Sequence, residues 1–560
     1  MKVALCALNP TVGDPSGNAE LVLDALDRAA TGGAGLAVFP ELVLPGYPPL
    51  DLLERSTFVD ACLDAERRLV DRIPAGLTAV FGNLRRRIGS GPGRALQNAA
   101  VVARRGEVPT WFAKTLLPTY DVFDEARYFE PRQSRAPAIF EHEGRRIGVT
   151  VCEDLWNDEE LWASADLWRD DSPDPVRVYA RDPVADVVGH GAELVLNLSA
   201  SPWSQGKLSV RERLVQHAAG RHRVPVILVN TVGGNDGLLF DGQALVANGD
   251  GRLVHRGPGW SPAVEVVDLS APAGAPRAPR RPEVEVRSAL VLGIRDYFEK
   301  SGLPRAVVGL SGGIDSAVTC ALAVRALGPK RVTGVGMPSA ISSDHSVEDA
   351  RALAANLGID FHLVPIRAAV DAFTRMLAPV FGDRPPDVTE ENLQSRIRGA
   401  TLMAIANKTG AVVLGTGNKS EASMGYATLY GDTIGALSVL ADLYKHQVYA
   451  LARLENEERE IVPQRTIDKA PSAELRPDQR DTDSLPDYAI LDGILERFIE
   501  RKMPLARIAE EVGVELELVE EVVRKVYLNE FKRKQLPPTL RVCKKAWVGR
   551  VYPIVQRFRR

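Results

Sequence analysis

Three side chains that could together cleave an amide follow three separate apolar runs: Glu41 after GLAVFP, Lys114 after PTWFA and Cys152 after RIGVTV. A thiol must lose its proton before it attacks a carbonyl, and a neighbouring carboxylate can take that proton. A nearby ammonium favours the thiolate and steadies the oxyanion of a tetrahedral intermediate. Taken singly, each has a plainer reading: Cys152 as a buried structural thiol, Glu41 and Lys114 as capping or surface charges. A second constellation lies far downstream, Ser311-Gly312-Gly313-Ile314-Asp315-Ser316, between a strand run and a helix run. The glycines permit a tight turn and close approach of an anion, and the helix start adds free N–H groups. The loop lacks the G-x-x-x-x-G-K-[ST] pattern of a Walker A motif. Asp315 would repel a phosphate unless a cation stood between them, which points to Mg²⁺ bridging the two. The plainer reading is a Gly-rich turn with an Asp helix cap.

In layered α/β folds, residues just past strand ends gather at one rim of the sheet, so the trio can meet only if its three runs are strands. The first half carries KVALCAL, GLAVFP, TAVFGNL, AAVVARRG, RIGVTVC, AELVLNLSA and VPVILVN, with helical patterns such as GNAELVLDALDRAA between them. Several runs are continuous rather than alternating, which suits sheet buried on both faces. In the second half AVVGL leads through SGGIDS into AVTCALAVRAL, RVTGVGMP precedes the helix SVEDARALAANLG and the run FHLVPI, and AVVLGTGN follows a long helical segment. That order predicts a doubly wound parallel α/β sheet. Residues 269–283, LSAPAGAPRAPRRPE, read as a semi-extended linker dividing a domain at 1–268 from one at 284–560. Residues 168–183, dense in Asp, Pro and Arg, read as a surface excursion.

At 560 residues the chain has room for two to four domains. A formal net charge of -4 gives no support to a nucleic-acid partner. One segment, PLARIAEEVGVELELVEEVVRKVYLNEFKRKQ, nevertheless reads like a helix-turn-helix followed by basic residues. None of the five cysteines forms a C-x-x-C pair, so neither a zinc site nor a disulfide framework is expected, and the compartment is expected to be the reducing cytoplasm. The first residues, MKVALCALNPTVGD, do not read as a signal peptide, and no apolar stretch is long enough to span a bilayer.

The loop SGGIDS resembles the pyrophosphatase loop of the N-type ATP pyrophosphatases, which adenylate a carboxylate or carbonyl oxygen and release pyrophosphate. The resemblance implies that Gly309, Leu310, Ser311, Gly312, Gly313, Ile314, Asp315 and Ser316 cradle ATP. Further on, ENLQSR at 391–396, LGTGNKSE at 414–421 and GYATLYGD at 425–432 resemble the NAD synthetase members of that family. By that resemblance Thr416, Lys445 in ADLYKHQVY and Ser472 in KAPSAELRP contact ATP. Asn392, Arg396, Glu421 and Lys532 in NEFKRKQLPP hold deamido-NAD, while Asp315 and Glu421 hold Mg²⁺. Some ammonia-only relatives carry Lys where this chain has Leu429, so that contact is missing here or supplied elsewhere. Read alone, Lys419 and Lys445 could be solvated surface charges, Asn392 a helix cap and Glu421 an exposed helical residue.

In the first half, PELVLPGYPP, KTLLPTYDVFDE and VTVCEDLW resemble the nitrilase superfamily, which uses a Glu-Lys-Cys trio in a four-layer αββα fold. NLSASPWSQGK and VNTVGGNDGLLFDG look like later elements of its glutaminase branch, which implies that Tyr120, Ser201 and Lys207 line a glutamine pocket and that Glu125 supports the lysine. No cysteine sits in a G-x-C-x-G elbow and position 2 is Lys, so other glutaminase types fit poorly. The two halves together resemble the architecture of the glutamine-dependent NAD synthetases. That implies ligation of ammonia from L-glutamine to deamido-NAD with ATP and Mg²⁺, the ammonia being kept from protonation in water. The alternative is an amide synthetase with the same modules and a different carboxylate. A homo-oligomer is expected by analogy.

Overall fold

A computed structural model of the chain describes residues 1–88, 91–134, 136–158, 160–161, 179–271, 274–476, 479–547 and 549–557. Of the excursion read at 168–183, residues 168–178 lie outside the described residues. Contacts divide the chain into two units, Met1–Arg169 with Pro173–Arg280, and Arg281–Arg560.

The first unit is built on two six-stranded sheets. One runs Ala263–Asp268, Lys2–Ala7, Leu36–Val38, Thr78–Arg86, Leu96–Ala103, Thr110–Ala113, and the other Leu253–Arg256, Leu245–Ala247, Val226–Asn230, Leu194–Ser199, Arg145–Val151, Ile139–His142. Strand residues alternate between faces. Val3, Leu5, Leu36, Val38 and Val80 therefore meet Ile147, Val149, Leu196 and Val229 between the sheets. The intervening residues Ala4, Cys6, Ala37, Phe39 and Phe81 pack outward on Val22, Leu26 and Ala29 of the helix Pro15–Thr31 and on Leu69 of the helix Ser56–Arg72. On the outer side of the second sheet Val195 and Leu228 meet Leu214 and Val215 of the helix Lys207–His222. This is the four-layer αββα arrangement, and burial on both faces is why the strand runs are continuously apolar.

The second unit carries a five-stranded sheet in the order Asp360–Leu363, Val332–Gly336, Ala306–Gly309, Val412–Gly415, Leu437–Ser438, with every pairing parallel. Chain order reverses at Ala306–Gly309, and such switch points open a crevice past the strand ends. A helical cluster around Leu491, Ile494, Val519, Val522 and Val526 completes the unit. The segment that reads like a helix-turn-helix lies here, as the helices Leu505–Val512 and Leu516–Leu528. Two of its basic residues are spent inside the unit: Lys532 Nζ donates to the carbonyls of Gly425 (2.7 Å) and Ala427 (2.8 Å), and Arg533 to those of Ala422 (3.3 Å) and Ser423 (2.8 Å).

The proline-rich joint is pinned rather than free. Arg277 pairs with Glu265 at 2.6 Å and donates to the Arg256 carbonyl at 3.0 Å. The helix Pro282–Lys300 also takes in two residues that the sequence reading gives to the linker, because Pro282 starts a helix without needing its missing N–H. Among the described residues no helix is long and apolar enough to cross a membrane.

Candidate active sites

Glu41 sits just past the strand Leu36–Val38, Lys114 just past Thr110–Ala113, and Cys152 directly after Arg145–Val151 as the first residue of the short turn Cys152–Leu155. The Lys114 and Glu41 side chains are fully buried, and Lys114 Nζ donates to Glu41 Oε1 at 2.8 Å. The same ammonium donates to both oxygens of Glu125 at 2.8 Å. Glu41 is fixed further by Asn98 Nδ2 at 2.7 Å and by the backbone N–H of Ala200 at 3.0 Å, while Glu125 accepts from the Tyr47 hydroxyl at 3.1 Å. Cys152 is 5% exposed and its backbone lies in the left-handed region at φ 42.

The electrostatics follow from one ammonium shared among several acids in a dry pocket. Burial pushes the Cys152 thiol up and Glu41 adds to it, while Lys114 pulls it down; the net effect is well above an ordinary thiol. Burial pulls Lys114 down, but Glu125, Glu41 and Cys152 outweigh it and hold the ammonium well above its usual range. Burial, with Glu41 beside it, lifts Glu125 to about 7 against the pull of Lys114.

Two of the expected glutamine contacts converge beside the thiol. The Tyr120 hydroxyl donates to Glu153 at 2.9 and 3.0 Å, and Lys207 Nζ stands 4.0 Å over the Trp156 ring. Burial raises Glu153, and Lys114, Tyr120 and Lys207 each pull it back. Ser201 is buried and donates its N–H to Asn230 Oδ1 at 2.8 Å.

In the second unit the loop after Ala306–Gly309 opens a cavity of about 280 Å³ lined by Gly309, Leu310, Ser311, Gly313, Ile314, Asp315, Ser316, Thr416, Glu421, Lys445 and Ser472. Gly312 belongs to the loop without lining the cavity. Its φ is +76, and a Cβ there would stand 2.4 Å from the Ser346 carbonyl oxygen. On the reading of this loop as an ATP cradle that its resemblance implies, Gly312→Ala should push the loop off Ser346 and raise the KM for ATP at least about tenfold, read in steady-state kinetics with ammonium as nitrogen source. Lys445 Nζ bridges Asp315 Oδ2 (2.5 Å) and Glu421 Oε1 (3.1 Å). Asn418 Nδ2 donates to the other Asp315 oxygen at 2.9 Å. Burial lifts Glu421 to about 7, Lys445 pulls it down and Asp315 pushes it up.

Asn392, Arg396 and Lys532 do not line this cavity. They gather on the 425–432 run: Asn392 Oδ1 accepts from Thr428 (2.7 Å), Arg396 Nε donates to the Leu429 carbonyl (3.2 Å), and Lys532 holds Gly425 and Ala427 as above. Asn392 is no helix cap, since Asp387 caps the helix Val388–Thr409. Lys419 is no surface charge. It is fully buried against Asp442 (2.8 Å), Glu500 (3.0 Å) and the Lys545 carbonyl (2.9 Å). Asp442 in turn accepts the N–H groups of Val542 and Cys543, both at 2.7 Å.

The family model described as carbon-nitrogen hydrolase matches residues 2–166, and that described as NAD synthase matches residues 286–536. The glutamine-dependent NAD(+) synthetase of Synechocystis sp. is 43% identical, covering 99% of both chains. The chain belongs to the glutamine-dependent NAD(+) synthetases. A solved member of this family from Acinetobacter baumannii, in complex with ADP, is 36% identical over 99% of this chain and 98% of its own, with a TM-score of 0.75. One from Cytophaga hutchinsonii, 21% identical over 99% of this chain and 98% of its own, shares the fold at a TM-score of 0.82.

Sequence reasoning missed several residues that the fold brings to the two sites. In the first unit these are Tyr47, Asn98, Glu153 and Asp154, of which Tyr47 and the CED triplet lie inside quoted motifs. In the second, Arg398, Lys469 and Asp481 also line the cavity. Lys469 donates to Ser346 Oγ at 2.8 Å, and Asp481 accepts from the Tyr488 hydroxyl at 2.9 Å. Position in KAPSAELRP was the signal available for Lys469.

Proposed function

We propose that this chain converts deamido-NAD to NAD, spending ATP to AMP and pyrophosphate and drawing its nitrogen from L-glutamine. The carrying observation is that one chain holds both a buried Glu-Lys-Cys cluster and a nucleotide-loop cavity. Full-length similarity to glutamine-dependent NAD(+) synthetases speaks against a different carboxylate substrate.

In the first unit, Glu41 takes the Cys152 proton as sulfur attacks the glutamine amide carbon. Lys114 stays cationic because two carboxylates hold its proton, so it offsets the developing oxyanion. Ammonia leaves with the proton that Glu41 returns, and water then hydrolyses the thioester to glutamate. Tyr120, Ser201, Lys207 and Glu153 surround the amino-acid end of the substrate.

In the second unit, the nicotinate carboxylate attacks the α-phosphorus of ATP and pyrophosphate departs. The N–H groups at the start of the helix Ile314–Leu327, with the Ser311 and Ser316 hydroxyls, receive the phosphates. Lys445 exchanges Asp315 and Glu421 for phosphate oxygens. Ammonia attacks the acyl carbon and AMP leaves. Asn392, Arg396 and Lys532 hold the dinucleotide along the 425–432 run.

Asp315 and Glu421 offer carboxylate oxygens in a cavity whose lining contains serine hydroxyls and neither Cys nor His, a donor set that fits Mg²⁺. When bound there, Mg²⁺ would neutralise phosphate charge. The same reading puts the protein in the cytoplasm, consistent with five free cysteines, and as a homo-oligomer. The test is isotopic. Enzyme, deamido-NAD, Mg-ATP and glutamine labelled with ¹⁵N on the side-chain amide should give NAD carrying the label, read by mass spectrometry. Unlabelled NAD, or none, overturns the proposal.

A further inference from the structure

The left-handed backbone at Cys152 is costly for a residue with a side chain. Such a conformation persists only where its surroundings hold it. Two contacts hold it here. One is modest: Asn197 Nδ2 donates to the Cys152 carbonyl at 3.3 Å. The other is the Asp154 carboxylate, 3% exposed, which accepts three backbone N–H groups from two separate segments. Its Oδ2 takes Val151 N–H at 3.0 Å, immediately before Cys152. Its Oδ1 takes Thr115 N–H at 3.0 Å and Leu116 N–H at 2.8 Å, immediately after Lys114.

One rigid, planar group of three atoms thus joins the chain entering the thiol to the chain leaving the ammonium. Charge-assisted bonds of this kind are about twice as strong as neutral ones. The carboxylate touches no reacting atom, and the cysteine and lysine segments have no sequence continuity to keep them in register. A small displacement of either is enough to cost a large factor in rate.

We propose that Asp154 is a positioning residue of the amidase, holding the strained Cys152 turn in register with Lys114. The proposal rests on the reading of Cys152 as nucleophile. Asp154→Asn is close to isosteric. Its amide oxygen can still accept from Thr115 and Leu116, but its NH₂ then faces Val151 N–H, so the hold on the thiol is the one lost.

The full chain is assayed with glutamine and, separately, with ammonium, and Cys152 alkylation by iodoacetamide is timed. Asp154→Asn should lower glutamine-driven kcat about 30-fold or more, leave the KM for glutamine within about threefold, and slow alkylation. Ammonium-driven synthesis should stay within about twofold of the parent. A purely structural role would instead lower both activities with the melting temperature. If the variant fails to fold, an ester in place of the peptide link between Thr115 and Leu116 removes the shorter bond and leaves every side chain intact. That protein should lose about tenfold in glutamine-driven kcat with KM unchanged.

Glutamine-driven kcat within twofold of the parent in a folded variant, or equal losses in the two assays, overturns the proposal. Cys152→Ala run in parallel separates the two ideas. If it retains glutamine-driven turnover, the nucleophile reading itself is wrong. If it is inactive while Asp154→Asn is unimpaired, only the positioning role is wrong.

Discussion

Cys152→Ala should abolish glutamine-driven NAD formation, by about four orders of magnitude or more, while synthesis from ammonium salts stays within about twofold of the parent. Lys114 cannot stand in as the nucleophile, since it keeps its proton under the combined field of Glu125 and Glu41. The substitution is mild for the fold: it removes one sulfur from a buried turn and leaves the Asp154 and Asn197 contacts to backbone in place. The check is paired kinetics on one preparation, with glutamate release measured alongside NAD. Equal loss from both nitrogen sources in a folded protein would refute the division of labour between the units.

Asp315→Ala should instead stop both routes, with turnover down about a thousandfold or more from either nitrogen source. Asp315 stands at the mouth of the phosphate loop, holds one end of the Lys445 bridge and accepts from Asn418. Its loss removes a charge expected to meet the metal, and releases Lys445 to Glu421 alone. Glutamine hydrolysis to glutamate should remain measurable, because Glu41, Lys114 and Cys152 are untouched. The experiment follows pyrophosphate, NAD and glutamate together. Normal ATP turnover in this variant would refute the assigned role.

Much of the fold is legible in the sequence, because sheets buried on both faces write their strands as continuous apolar runs. KVALCAL, RIGVTVC and VPVILVN became strands of the first unit, and AVVGL the switch-point strand of the second. Residues just past those strands were legible for the same reason: strand ends define a rim, and a Cys, a Lys and a Glu at three such ends are noticeable. What was not legible depends on contacts between distant segments. Asn98 reaches Glu41 across 57 positions, and Tyr47 reaches Glu125 across 78. Neither type nor spacing announces such a pairing. Lys419 read equally as a solvated charge, since the groups that bury it include Glu500 and the Lys545 carbonyl, 81 and 126 positions away. Asn392, Arg396 and Lys532 were grouped by resemblance, and their meeting place on the 425–432 run is a matter of tertiary contact.

The Lys419 cluster has a consequence for biosynthesis. Lys419 directly precedes the Ser420–Glu421 pair beside the nucleotide cavity, yet its ammonium is neutralised and capped by partners that include the Lys545 carbonyl and Asp442, which is itself held by the N–H groups of Val542 and Cys543. Until that stretch has emerged from the ribosome, a nascent chain carries a buried-to-be cation without its full set of acceptors. The amidase unit, by contrast, needs nothing beyond residue 280 for its two sheets. Translation therefore delivers every strand of the amidase sheets well before it delivers the residues that close the Lys419 cluster.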